Sequence, residues 1–179
     1  QFWDRRSTVS IANTALGELR AGRDFVPSYA NWSRYDPFSY VGVAGSNNLV
    51  SAAPAGPIRN AFGTSPNTTV RSSNSLQWLL PAGWAGVEGG VMVAAGEGGA
   101  AANGQHKVIG VRLGWSGAGF GVSAAQTTTR NNLTVGNKFT DRALGGHATI
   151  GPVRLTAAWR KLEQADAGQT LTIVGAVLP

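Results

Sequence analysis

The chain has 179 residues, a one-domain length; 13% are charged, about half the share usual in a globular domain, and 25 are glycine. It has no cysteine, which excludes disulfide scaffolds, thiolate metal centres and cysteine nucleophiles, and no apolar run approaches the ~20 residues of a membrane helix. The formal net charge of +6 favours an anionic partner or permeant. The basic residues are dispersed, however, pairing only at Arg5-Arg6 and Arg160-Lys161, which argues against a nucleic-acid surface.

Along the chain the dominant signal has period two, interrupted by Gly, Pro, Asn and Ser. Arg6–Ile11 sets Val9 and Ile11 against Arg6, Thr8 and Ser10. After a turn at Asn13–Gly17, Gly17–Phe25 sets Leu19 and Ala21 against Glu18, Arg20 and Asp24. Val26–Val70 is long and irregular, with no convincing helical stripe. Strand character returns at Arg71–Leu80, where Leu76, Trp78 and Leu80 share a face, and at Val87–Ala95, where three valines oppose Glu88, Gly90 and Met92. Lys107–Trp115 carries Ile109, Val111, Leu113 and Trp115 opposite Gly110, Arg112 and Gly114. Phe120–Thr129, Lys138–Ile150, Val153–Lys161 and Thr170–Leu178 follow, the last with Leu171, Ile173 and Val177 on one face.

About nine strands result. Short turns at Asn13–Gly17, Pro81–Gly86, Ser116–Gly119 and Gly151-Pro152 alternate with longer connections at 26–70, 97–105, 130–137 and 163–169. Short turns at one end and long loops at the other describe an up-and-down antiparallel meander, the layout of a transmembrane β-barrel.

The composition of the two faces identifies the solvent on each side. One face carries Val, Leu and Ile, with Trp78, Trp115, Phe120 and Trp159 near its ends, as in an interfacial girdle. The opposite face is small and polar, mixing Gly, Ser, Thr and Arg. A lipid-facing exterior around a wet interior accounts for both; a soluble β-sandwich binding or adhesion module, the alternative, accounts for one. An enzyme is not expected, since neither a nucleophile elbow nor a helix-preceding Gly-rich phosphate loop is present, and no cofactor or metal is expected.

Six stretches, taken in order, carry a family resemblance: Asp4–Ile11 (DRRSTVSI), Gly17–Tyr29 (GELRAGRDFVPSY), Tyr35–Phe38 (YDPF), Arg71–Pro81 (RSSNSLQWLLP), Gly89–Gly98 (GGVMVAAGEG) and Gly110–Trp115 (GVRLGW). Together they resemble the general porins of Gram-negative bacteria, in particular the β-proteobacterial type, over nearly the whole chain. The resemblance implies a barrel of ~16 strands in the outer membrane, usually a homotrimer, passing small hydrophilic solutes and anions passively. It aligns the chain with the fourth through twelfth strands. The start at Gln1 and the stop at Pro179, straight after a strand-like run, likewise suggest a mature or truncated piece of something longer.

The resemblance also assigns roles. Val26–Val70 takes the position of the long third loop, which folds into the barrel and narrows the pore, and Tyr29, Trp32, Tyr35, Phe38 and Tyr40 can pack it against the wall. The wall arginines of the constriction match Arg23 and Arg71. Arg71 shares parity with Ser73 and Ser75, but strict alternation groups Arg23 with Leu19 and aims Arg20 inward. Either a bulge re-aims Arg23 or Arg20 takes the lumen role. Arg6, Arg112, Arg154 and Arg160 also fall on polar faces, where they avoid the ~2–4 kcal/mol cost of a mid-bilayer arginine. Asp24, Asp36 and Glu88 can oppose them, Asp36 first because it lies in the loop motif. An arginine-lined narrow pore lowers the entry energy of anions, so anion preference is expected.

Overall fold

The computed structural model describes residues 5–51, 56–63, 67–96, 106–130 and 138–178. Nine strands form one antiparallel sheet in sequence order: β1 (Ser7–Asn13), β2 (Gly17–Phe25), β3 (Arg71–Leu79), β4 (Val87–Ala94), β5 (Lys107–Gly117), β6 (Phe120–Arg130), β7 (Lys138–Ile150), β8 (Val153–Gln164) and β9 (Ala167–Val177). The sheet is not closed; β1 and β9 are its edges. The expected loops at Glu97–Gln105 and 131–137 lie outside the described residues.

The alternation sorts side chains inside out. Val9 and Ile11 are each 77% exposed, and Val91, Val93, Ile109, Val111, Leu113, Val122, Leu144 and Leu155 share the exposed face of their strands. Buried on the opposite face are Ser75, Gln77, Ser123, Thr127, Asp141, Thr156 and Arg160. In water this arrangement would leave an apolar face far larger than soluble monomers tolerate. Trp78 and Trp115 mark the short-turn end: their rings lie on the outer face while their indole N–H groups donate to the turn carbonyls of Leu16 (2.8 Å) and Ala85 (2.9 Å). An apolar ring with a satisfied polar tip suits a membrane–water boundary.

The connection between β2 and β3 departs from the expectation of an irregular loop. It holds three helices, α1 (Pro27–Tyr35), α2 (Asn47–Ser51) and α3 (Pro57–Phe62). Pro27 stands in the first turn of α1 and Pro37 closely follows its end, the positions where proline starts and stops a helix. Nine residues are too few to hold a helix alone; α1 is held by burial of Tyr29, Trp32 and Tyr35, spaced three apart, against β4–β8. Two wall glycines permit the approach. A Cβ on Gly145 would lie 2.2 Å from Cδ2 of Tyr35, and one on Gly110 would lie 2.7 Å from Cγ of Pro27.

The hydrophobic core therefore lies between the insert and the concave face of the sheet. Trp32 and Phe62 from the insert meet Met92, Val108, Phe139 and Leu162 from the wall. Phe62 packs edge-on against Phe139 at 5.0 Å and against His106 at 4.9 Å. Of the five aromatics expected to pack the loop, Tyr29, Trp32, Tyr35 and Tyr40 are buried and Phe38 is exposed.

Two further expectations are corrected. The segment 163–169 is not a long loop: β8 and β9 run on to a two-residue turn at Ala165-Asp166, with Ala165 at φ 47°. Leu171 and Ile173 do share a face, but their partners Arg160 and Ala158 place it inward, where Leu171 is buried beneath the insert.

Candidate pore constriction

The inward face and the insert carry three polar assemblies. The first lies beside edge strand β1. Asp24 is 3% exposed and sits between two arginines: Arg6 Nε lies 2.8 Å from Oδ1, and Arg20 Nη1 lies 2.8 Å from Oδ2. Arg20 also donates through Nε to Glu18 at 2.9 Å. Arg6 itself is 44% exposed and opens, with Thr8, Ser10, Glu18 and Arg20, onto a hollow on the inner face.

The second assembly joins the insert to β4, β5 and β6. Arg34 of α1 donates to Oε2 of Glu88, and Arg112 donates to Oε1 of the same carboxylate at 2.8 Å. Asn31 accepts from the Ser123 hydroxyl, which is also 2.7 Å from the Tyr35 hydroxyl, and Asn31 Nδ2 donates to the Ser123 carbonyl at 3.3 Å. The α1 segment is thus tied to the wall through buried polar groups as well as rings.

The third assembly is fully enclosed. Arg160 donates through Nε (2.9 Å) and Nη2 (2.6 Å) to the two oxygens of Asp141, and Nη2 also reaches the Thr69 carbonyl at 2.8 Å. The Ser28 hydroxyl donates to Asp141 at 2.7 Å. The insert covers Arg160, which is 0% exposed.

The remaining expected residues stand apart from these assemblies. Asp36 is buried within the insert, where its carboxylate accepts from the backbone N–H of Phe38 (2.9 Å), Ser46 (2.9 Å) and Tyr40 (3.2 Å) and from the Ser46 hydroxyl. The Trp32 indole in turn donates to Ser46 at 2.8 Å. Arg154 is exposed on the inner face beside Thr156, toward the short-turn end. Arg71 pairs across with Phe25, and its guanidinium lies over that ring at 4.8 Å, a cation–π contact.

A bulge does occur beside Arg23, and it resides on the neighbouring strand. Gly22 faces Ser75 and Asp24 faces Ser72, so the extra residue belongs to β3, where Asn74 has φ 53°. The alternation of β2 is therefore unbroken. Arg20 shares the inward face with Asp24, while Arg23 pairs with Ser7 on the outward side and bonds Ser73 Oγ at 2.8 Å. The same bulge separates Ser73, exposed, from Ser75, buried and donating to the Gly22 carbonyl.

Sequence reasoning missed Arg34, Asn31, Ser123 and Asp141. The three-residue spacing of Tyr29, Trp32 and Tyr35 would have revealed the helix that aims Arg34 and Asn31, and the parity of Asp141 with Ala143 and Gly145 already set it on the polar side. Among the described residues no group of His, Asp or Glu could hold a metal ion. Burial raises the pKa of Tyr29 and Tyr40 in the insert above the usual phenol value.

A meander with an apolar outer face, aromatics at the short-turn end, and arginines meeting a folded insert on its concave side defines part of a transmembrane β-barrel with an obstructed lumen. The chain belongs to the Gram-negative porin family, whose sequence model matches residues 1–177. It is an outer-membrane protein. Among solved structures it is similar to an anion-selective porin from Comamonas acidovorans (25% identity, TM-score 0.75), aligned over 98% of this chain and 52% of that one. OmpF of Salmonella typhi (16%, TM-score 0.68; 97% and 54%) and OmpT of Vibrio cholerae (13%, TM-score 0.62; 94% and 52%) share the fold. The chain spans about half the length of these relatives. Comparison with curated proteins gives no match.

Proposed function

We propose that the chain forms part of the wall and the constriction of a water-filled channel through which small hydrophilic solutes diffuse passively, with a preference for anions. One observation carries the reading. The most exposed of the inward charges are arginines, Arg6 (44%) and Arg154, whereas Asp24, Asp36 and Asp141 are buried behind their partners and the two half-buried acids, Glu18 and Glu88, are each paired with arginine. A solute entering the lumen meets guanidinium before carboxylate, which lowers the entry energy of an anion. Contacts with half-paired arginines stay weak enough for the solute to leave.

Within this reading the insert 26–70 narrows the lumen, Arg20, Arg34 and Arg112 flank the narrowing, and Glu88 is its accessible acid. Arg71, at the loop end of β3, contributes at the rim, Arg23 on the outward side of β2 does not, and Asp36 shapes the insert. The anion selectivity of the Comamonas porin is in line with this assignment, as is assembly into a homotrimer, the usual state of the family.

The test is a planar-bilayer recording of the full-length protein under a KCl gradient. Ohmic steps whose reversal potential lies on the chloride side are expected. Potassium preference would overturn the charge assignment, and absence of steps from folded, membrane-inserted protein would overturn the channel.

A further inference from the structure

The surface that the insert turns away from the wall is apolar and free of acid. Asp36 is the one carboxylate in 26–70, and it is buried. The other two charges of that segment, Arg34 and Arg59, are cations that reach open space. Beside Asp36, Phe38 (53% exposed), Val41 (67%) and Val43 (98%) stand uncovered among the described residues.

The turn builds this exposure in. Asp36 gathers the backbone N–H groups of Phe38, Tyr40 and Ser46, and Tyr40, at φ 68°, packs its ring edge-on against Tyr29 at 4.8 Å. The side chains flanking Tyr40 are left on the open side. Asn48 Nδ2 braces the turn by donating to the Val43 carbonyl at 2.7 Å. Large apolar side chains held so close together form a patch, unlike the single exposures common on any surface.

Register puts cations next to the patch. Pro37 seats against Gly175 of β9, where a Cβ would lie 2.6 Å from Pro37 Cγ. Gly175 pairs with Thr156, and the next inward residue of β8 toward the short turns is Arg154, which is exposed. Arg34, in the last turn of α1, is 30% exposed. The patch therefore overhangs the lumen with one guanidinium on the wall below it and another on the insert itself. A small inorganic anion can use only the cations; an anion with a hydrocarbon tail can use both surfaces.

We propose, resting on the channel reading above, that the narrowing favours organic carboxylates with a short hydrocarbon tail, the carboxylate meeting Arg34 or Arg154 and the tail lying on Phe38, Val41 and Val43. Charge selects the anion, and the patch takes tail methylenes out of water. The apolar contact is one-sided, so the solute is retarded and still leaves.

The test is block of chloride current by acetate, butyrate and hexanoate at pH 7, in planar-bilayer recordings of the full-length protein, with alkylammonium ions of matching length as controls. The half-blocking concentration is expected to fall at least about tenfold from acetate to hexanoate, while the ammonium ions block weakly at every length. F38S/V41S/V43S should flatten the series to within about twofold; if it does not fold, Val43→Ser alone should make the series shallower. Arg154→Gln should raise the half-blocking concentration by a similar factor at every length, because it removes charge and leaves the patch. Val43→Cys should react with a charged thiol reagent in the folded channel. Chloride preference in KCl with a flat acid series, ammonium ions that block as well as the acids, or a shielded Val43→Cys would overturn this inference and leave the channel reading standing. Potassium preference in KCl would remove that reading, and this inference with it.

Discussion

Arg160 and Asp141 form a two-pronged ion pair between β8 and β7, closed off from both lipid and lumen by the insert. Such a pair is worth little relative to two apolar residues, but breaking it is costly, because the survivor stays buried without compensation. Asp141→Asn is expected to lower stability by about 3–5 kcal/mol, measured by denaturant unfolding of the full-length protein. Asp141→Asn combined with Arg160→Met should recover most of that loss, and failure of the double variant to recover would show that the pair's neighbours, not its charge, are at stake.

Tyr35 over Gly145 predicts a different outcome. Gly145→Val places bulk where the ring lies, so the insert must lift from the wall. Since α1 is held by that contact and by the Tyr35–Ser123 and Asn31–Ser123 bonds, open-channel current is expected to become noisier and its mean to change, with the sheet still folded. A silent Gly145→Val in single-channel records would mean that the insert does not shape the current path.

Glu88 is shared between Arg34 and Arg112. Glu88→Gln removes the accessible acid and frees two guanidiniums, so the reversal potential in a KCl gradient should move further toward chloride. Arg112→Gln, and independently Arg154→Gln, should move it toward zero. Equal shifts in the same direction from acid and arginine variants would defeat the electrostatic account.

Much of this is legible in the sequence. The alternation of Val91 and Val93 with Met92, and of Leu155 with Thr156, fixed which side of each strand meets lipid, because strand side chains have no other period. The insert was harder to read. Nine residues of α1 have no helical strength of their own, so their structure is decided by a wall that is distant in sequence. The bulge at Asn74 is a property of how β2 and β3 pair, and local pattern carries no trace of it; as a result Arg71 cannot be aimed from parity alone, whereas on the unbroken β2 parity holds through Arg23. Asp36 looked like a lumen acid because it sits in a loop motif, yet an aspartate followed by Pro37 and a tight turn is also well placed to gather backbone N–H groups, which is what it does. The turn at Ala165-Asp166 reads as a loop in sequence because EQADAGQ holds no large apolar residue, while strand pairing continues to Gln164 and Ala167.

Asp36 supports a fourth expectation. Its carboxylate gathers three backbone N–H groups and the Ser46 hydroxyl, so Asp36→Ala leaves several buried donors unmet at about 1–3 kcal/mol each. Limited proteolysis of the folded protein should then cut within 37–51 while the strands resist. An uncut insert would mean that the Trp32–Ser46 bond suffices to hold it.

The tyrosines of the insert set a limit at high pH. Burial favours the neutral phenols of Tyr29 and Tyr40, so the folded state holds protons that the unfolded chain releases above its ordinary value of about 10. The contribution of these two tyrosines to stability is therefore flat below that pH and falls above it. Tyr40→Phe should flatten the alkaline limb of the unfolding profile, and an unchanged limb would remove Tyr40 from the account.

The strict two-residue period of the wall has a further consequence for assembly. A slip of one residue in β5 or β8 would turn Arg112 or Arg160 to hydrocarbon and Leu113 or Trp159 to water, and an arginine misplaced near mid-membrane costs about 2–4 kcal/mol. A slip in β6, β4 or β7 would likewise move Ser123, Glu88 or Asp141, the partners of Asn31, Arg34 and Ser28, and weaken the seat of the insert. Solvent thus proofreads each strand as it is laid down, and docking of the insert serves as a second, independent check that the whole wall is in register.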